Sequence, residues 1–234
     1  MRHMIGQPMH AQTGNLYFLN PYFRDAATAS VLADKMKSLP EVKQIGLGNS
    51  VPGNFNMGIG VNDESGKNIM VQFLICDSTF FRLICPEVVE DFGHPLERSL
   101  WLGETTARAL NITDSTEAYY KRKFSSYNNT VVESIGGIIK DIPVCGASNS
   151  RQNTYPYMAI TVQKAEDLIY SCGLLMQTTD ESKETAEMIN STWRKYQKEA
   201  DNYDEAFCNW FISDNIRSGL APARRSMRLV ETFM

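Results

Sequence analysis

Long apolar runs, histidine and any excess of basic charge are what this 234-residue sequence has least of. No window approaches the ~20 apolar residues that span a bilayer. The most apolar stretches, Ile69 to Cys76 and Ile135 to Ile139, are strand-length and bounded by polar residues. The opening MRHMIGQPMHAQTG has no apolar h-region, so it does not read as a secretory leader, and these residues by themselves describe a soluble intracellular chain. Lys plus Arg is 23 against 27 for Asp plus Glu, a net charge of −4. With no basic excess to displace counterions from phosphates, a dedicated nucleic-acid binder is not expected.

Nucleotide and metal chemistry lack their residues too. There is no GxxxxGK[ST], and Gly46, Gly48 and Gly53 (GLGNSVPG) miss the dinucleotide fingerprint because position 51 is valine. The five cysteines, Cys76, Cys85, Cys145, Cys172 and Cys208, form no CxxC, and none lies at metal-ligand spacing from a histidine. A structural zinc site is therefore not expected. Cys76, Cys172 and Cys208 sit in apolar runs and read as small buried hydrophobes.

What remains for catalysis is thin. His94, in the turn Gly93-His94-Pro95, has Glu90, Asp91 and Glu97 nearby, yet it reads as a solvated turn residue. Cys145 precedes Gly146 in a Gly/Ser loop without the surroundings of an activated nucleophile. Lys140-Asp141 reads as a charge pair on a solvated strand edge. Lys121-Arg122-Lys123 reads as part of a solvated hairpin, with an acidic partner or a lipid headgroup as its functional alternative. Asp77-Ser78-Thr79 and Asp114-Ser115-Thr116 match a modification pattern short enough to arise by chance. No catalytic, cofactor or metal residue is assigned, no substrate contact can be named, and an enzyme is not expected.

With 43% hydrophobic residues, the chain can bury a real core as one large domain or two small ones. Periodicity predicts helices from Asp25 to Pro40, over Ser78–Ile84 and Glu104–Leu110, and from Glu181 to Ala200. In the last, Ala186, Ile189, Trp193 and Tyr196 form one apolar stripe. Strands are expected at Val42–Leu47, Asn68–Cys76, Leu100–Leu102, Val131–Ile142 (with a glycine bulge at Gly136 and Gly137), Pro156–Val162, Leu168–Met176 and Ala206–Ile212. Gly46 to Gly60 reads as a loop or irregular hairpin edge, Thr113 to Asn129 as an exposed loop or hairpin, and Gly14 to Leu19 as native sequence despite a likeness to a protease tag. The final helix from Ala223 runs to Met234 without a cap and looks cut. Strands and helices mix without strict βα alternation, which favours an α+β fold.

The order of these motifs resembles the extracytoplasmic (periplasmic core) domain of MacB/FtsX-type ABC transporter permeases, particularly the Bacteroidetes-like form. Leu39-Pro40-Glu41-Val42 corresponds to the family's "LP-x-V" step, and Asp77-Ser78-Thr79-Phe80-Phe81 to its "D-x-x-FF" step. Glu104-Thr105-Thr106-Ala107-Arg108-Ala109-Leu110 matches its "N-E-T-A-A-R-x-L" helix, and Ile135-Gly136-Gly137-Ile138-Ile139-Lys140-Asp141 its "V-x-G-V-V-K-D" strand. Trp193-Arg194-Lys195-Tyr196 and Arg228-Leu229-Val230-Glu231-Thr232-Phe233 complete the series. The chain departs from the family at Glu90-Asp91-Phe92-Gly93, where a "GR" step is common, and in the loop Thr116 to Tyr127.

The resemblance implies a two-lobed α+β domain with mixed sheets, helices packed on one face and a smaller inserted lobe. Residues 1–22 would be a lead-in, 23–76 and 155–222 a porter-like α/β lobe, 77–154 the inserted lobe, and 223–234 a helix linking to a second transmembrane segment. It implies a non-catalytic part of a bacterial inner-membrane permease, lying in the periplasm, that couples ATP-driven movement to export, lipoprotein handling or cell-envelope signalling. Expected partners are a second permease copy, a cytoplasmic ATPase subunit or domain that binds the ATP, and a periplasmic adaptor. The alternative is a stand-alone cell-envelope ligand-binding or adhesion module.

Overall fold

The computed structural model describes residues 10–20, 26–53, 55, 57–126, 130–142, 156–168, 173–199 and 208–214. Ten strands form one mixed sheet: β1 (Leu16–Asn20), β2 (Val42–Gly48), β3 (Met57–Asn62), β4 (Asn68–Asp77), β5 (Val88–Asp91), β6 (Ser99–Gly103), β7 (Ser134–Ile139), β8 (Met158–Gln163), β9 (Gly173–Thr178) and β10 (Cys208–Phe211). The spatial order is β10-β1-β9-β2-β4-β8-β6-β7-β5, with β3 paired to β4 as a hairpin. Among the described pairs, only β4–β8 and β6–β7 are parallel. Five α-helices are described: α1 (Ala26–Lys37), α2 (Ser78–Ile84), α3 (Glu104–Leu110), α4 (Asp114–Ser125) and α5 (Lys183–Glu199). The fold is thus α+β, as expected.

Period-2 alternation divides the core into two layers, one on each face of the sheet. Tyr17, Leu19, Val71, Phe73, Ile75, Leu100, Leu102, Leu174 and Met176 face one layer, where Leu32 and Met36 of α1, Leu110 of α3, Tyr120 and Phe124 of α4, and Ile189, Trp193 and Tyr196 of α5 meet them. Leu16, Phe18, Leu74, Cys76, Trp101, Ile160, Val162 and Leu175 face the other, covered by Phe80, Phe81, Leu83 and Ile84 of α2 and by Val51 and Phe55. Four helices therefore share one face, and the short α2 lies on the opposite one.

The middle segment 77–154 supplies β6, β7 and β5, which form one end of the sheet. The flanking segments 23–76 and 155–222 supply the other strands except β1, and the sheet is continuous between the two groups through the antiparallel β8–β6 pair. β1 lies within the expected lead-in; Leu16 to Leu19 are all buried between β9 and β10. Both faces of β1 are covered, so its apolar residues run continuously and give no alternating signature.

Two expectations are corrected. Within the stretch expected as a loop or hairpin, residues 114–125 form α4, started by a reciprocal capping box in which the Thr113 N–H donates to Thr116 Oγ1 at 2.9 Å, and residues 127–129 lie outside the described ones. Tyr120 and Phe124, four apart, bury one face of this otherwise polar helix, and the Tyr120 hydroxyl donates to Leu110 O at 2.7 Å. The glycine-rich Gly46–Gly60 stretch ends in a regular strand, β3, registered against β4 from Met57↔Phe73 to Asn62↔Asn68. The expected glycine bulge is present: Leu100 pairs with Ile135 but Trp101 with Gly137, leaving Gly136 as the extra residue. The expected helix from Ala223 to Met234 lies outside the described residues.

Candidate functional site

α3 and the end of β7 are locked together by the two strongest motifs of the middle segment. The Lys140 ammonium lies 3.1 Å from the Glu104 carboxylate. Asp141 accepts from the Thr105 N–H at 3.2 Å and from the Thr105 hydroxyl at 2.5 Å, so it serves the first turn of α3, where N–H groups have no helical partner. Thr106, buried, donates through its hydroxyl to Met158 O at 2.8 Å and accepts from the Met158 N–H at 2.7 Å. Lys140-Asp141 is therefore no solvated edge. Both residues hold α3 across 36 positions of sequence.

Trp101 lies over the bulge on the opposite face. A Cβ at Gly136 would come within 2.6 Å of Trp101 Nε1, and one at Gly137 would meet the Glu90 carbonyl oxygen, so these glycines allow indole and backbone to approach. At the next corner Arg98 ties strand starts to the turn after β8, bonding Glu133 at 2.8 Å and Asp167 at 3.1 Å.

The "D-x-x-FF" step is a helix start. Asp77, 8% exposed, accepts from the Phe80 N–H at 2.6 Å as N-cap of α2 and from the Leu47 N–H at 3.0 Å. Burial pushes its carboxyl above the ordinary range, against the opposing pull of those N–H groups. Phe80 then packs over Gly46 and Gly48, where a side chain would collide with it. Those glycines, considered above for phosphate binding, make room for a helix. Asp114-Ser115-Thr116 is likewise the first turn of α4.

Between this locked corner and the sheet edge lies a cleft of about 650 Å³. Leu102, Ile135 and Ile138 lie along the sheet, Ala107, Arg108, Asn111, Ile112 and Glu117 line the helix side, and Val89, Glu90, Phe92 and His94 close it at β5. Val89 and Glu90 both reach it, which strict alternation forbids; the register shift between Val88 and Glu90 makes Val89 an extra residue. Glu104 and Glu117 are matched by Lys140 and Lys121, at 3.1 and 3.3 Å. The Lys121-Arg122-Lys123 run thus belongs to a helix, not to a hairpin.

The structure brings His94 to this cleft as an exposed residue and places Cys76 in the core, as expected; Cys85 is exposed at the left-handed C-cap of α2. Cys145 and Cys172 fall outside the described residues. Among the described residues no group of three or more His, Cys, Asp or Glu side chains is arranged to hold a metal ion, and no helix is long and apolar enough to cross a membrane. The cleft itself was not anticipated, since its walls come from three separated segments. The one signal for it was local: Val88, Val89 and Phe92, apolar among carboxylates, between Pro86 and Pro95.

No family model matches the sequence, and no curated protein matches it. Among solved structures, the chain is similar to the extracellular domain of the noncanonical ABC-type transporter YknZ from Gram-positive bacteria. That match has a TM-score of 0.47 and 12% identity, covering 82% of this chain and 97% of that one. It is also similar to a domain assigned to a permease protein from Porphyromonas gingivalis, with a TM-score of 0.46 and 14% identity over 82% of this chain and 85% of that one.

Proposed function

We propose that this chain is the extracytoplasmic domain of an ABC transporter permease of the MacB/FtsX type, without catalytic residues of its own. The supporting observation is that the motifs carrying the family resemblance interlock. Glu104 and Thr105 of the "ETTAR" helix bond Lys140 and Asp141 of the "GGIIKD" strand, and Asp77 of "D-x-x-FF" caps the helix it opens. Both motifs lie at the same end of the parallel β6–β7 pair, and their contacts there are complementary in charge and hydrogen bonding. In this role the chain sits on the periplasmic side of a bacterial inner membrane, as part of a permease dimer working with a cytoplasmic ATPase. Binding and hydrolysis of ATP there favour one arrangement of the permease over another, and the continuous sheet carries that movement outward to cargo or an adaptor.

The native reading frame tests this directly. Apolar segments of about 20 residues on both sides of the domain would establish a membrane-tethered ectodomain. A start codon at Met1 together with a stop codon after Met234 would overturn it.

A further inference from the structure

We propose that β5, together with the cleft behind it, is a docking edge for an extended, basic segment of a second protein. This does not rest on the transporter reading; it follows from the edge itself. Residues 87–95 are nine consecutive exposed positions that include a whole strand, which pairs with β7 on one side and, among the described residues, ends the sheet on the other. An unpaired edge offers its N–H and C=O groups to another chain; the shortness, bulge and like charges of β5 guard it against its own copies but leave it open to a strand of opposite charge. Here no Lys or Arg occurs between residues 87 and 97. Instead Val88, Val89 and Phe92 are 47%, 46% and 40% exposed, three of the seven large apolar side chains exposed among the described residues. Such clustering marks an interaction surface.

Charge selects the occupant. Glu87 is engaged by His10 at 2.7 Å, whereas no described cation pairs with Glu90, Asp91 or Glu97. Arg98, the next residue, is held by Glu133 and Asp167 and cannot answer them. On the far wall Glu104 and Glu117 have Lys140 and Lys121, and Arg108, bonded through Nε to the backbone Glu104 O at 3.4 Å, keeps its charge, so the unmatched negative charge is on the β5 side. A second copy of this edge would set Glu90 and Asp91 against their own equivalents, which disfavours self-pairing. A strand alternating basic and apolar side chains satisfies both features. Its backbone extends the sheet past β5, its apolar side chains pack beside Val89 and Phe92 at the mouth of the cleft, and its cations, on the other face, meet Asp91.

The test is backbone amide NMR on the full 234-residue chain, titrated with an acetylated and amidated six-residue peptide of alternating lysine and valine. Saturable shifts at residues 88–92 and along the cleft are expected. The matching glutamate–valine peptide should bind at least about tenfold more weakly, because like charges then oppose each other. The exposed double substitution Glu90→Lys with Asp91→Lys should invert that preference; if this variant fails to fold, the two peptides on the wild-type chain decide. Equal binding of both peptides, no binding of the lysine peptide, shifts confined to another surface, or concentration-dependent shifts at β5 without peptide would each overturn the proposal.

Discussion

The two ends of the sheet are finished in opposite ways. Toward β10, α1 packs on β2 and β9, and α5 packs on α1 and β10. Ile189, Trp193 and Tyr196 of α5 are buried there, with the Trp193 and Tyr196 rings stacked at 5.8 Å and Tyr17 meeting Phe211 edge-on at 5.1 Å. Toward β5, α3 packs on β6, β7 and β8 and α4 on β7, and the chain leaves nine residues in a row exposed. A small domain gains most of its stability from burial, so covering every strand is the default, and an uncovered apolar edge points to contact with something outside the chain. The covered end carries stability; the bare end is where a partner has room.

The sharpest way to break this contrast is Trp193→Ala. Removing a ring that is 3% exposed should cost about 3 kcal/mol in denaturant unfolding, and an unchanged midpoint would show that α5 is not part of the core. Next comes Gly137→Val, which puts a side chain against Trp101 and the Glu90 carbonyl. It should cost about 2 kcal/mol and displace β5, visible as altered amide shifts at residues 88–91. Asp141→Ala removes the acceptor at the start of α3 and should cost about 1 kcal/mol, with Thr105 amide exchange accelerating.

The covered end should also respond to acid. Ser182 and Thr185 hold the Asp180 carboxyl down to about 2 from 3.8, at the entrance to α5. A depressed folded pKa gives stability that is present above the unfolded value and is lost as pH falls through the folded one. The wild type should therefore lose more stability than Asp180→Asn between about pH 4 and pH 2, and parallel acid profiles would contradict this. Smallest of all, Val88→Thr on the bare edge should stay within about 0.5 kcal/mol of wild type in the same unfolding experiment.

How much of this was legible in the sequence follows from what each element buries. Ser78–Ile84 and Glu104–Leu110 are predicted and observed with the same bounds; the first has Asp77 as its cap and four buried apolar residues, whereas the second starts at Gly103 without a side-chain cap and buries only Thr106 and Leu110. The long amphipathic α5 was equally plain through Ile189, Trp193 and Tyr196. α4 was hidden because only Tyr120 and Phe124 anchor it and its capping box uses Thr116 where Glu or Gln gives the familiar pattern. β1 was hidden for the opposite reason: it is buried on both faces, so period-2 alternation is absent. Of the cleft, the wall at Val89 to His94 showed itself only as apolar residues among carboxylates. Its apposition to residues 102–117 and 135–138 depends on long-range pairing, which no local pattern encodes.

In the proposed function this domain faces the outside of a bacterial inner membrane. The most direct measurement uses spheroplasts making the full-length native protein, treated with a membrane-impermeant maleimide and read by mass spectrometry at Cys85, which is exposed at the end of α2. Modification of Cys85 in intact spheroplasts is the predicted result. Modification only after lysis would place the domain on the cytoplasmic side and contradict it.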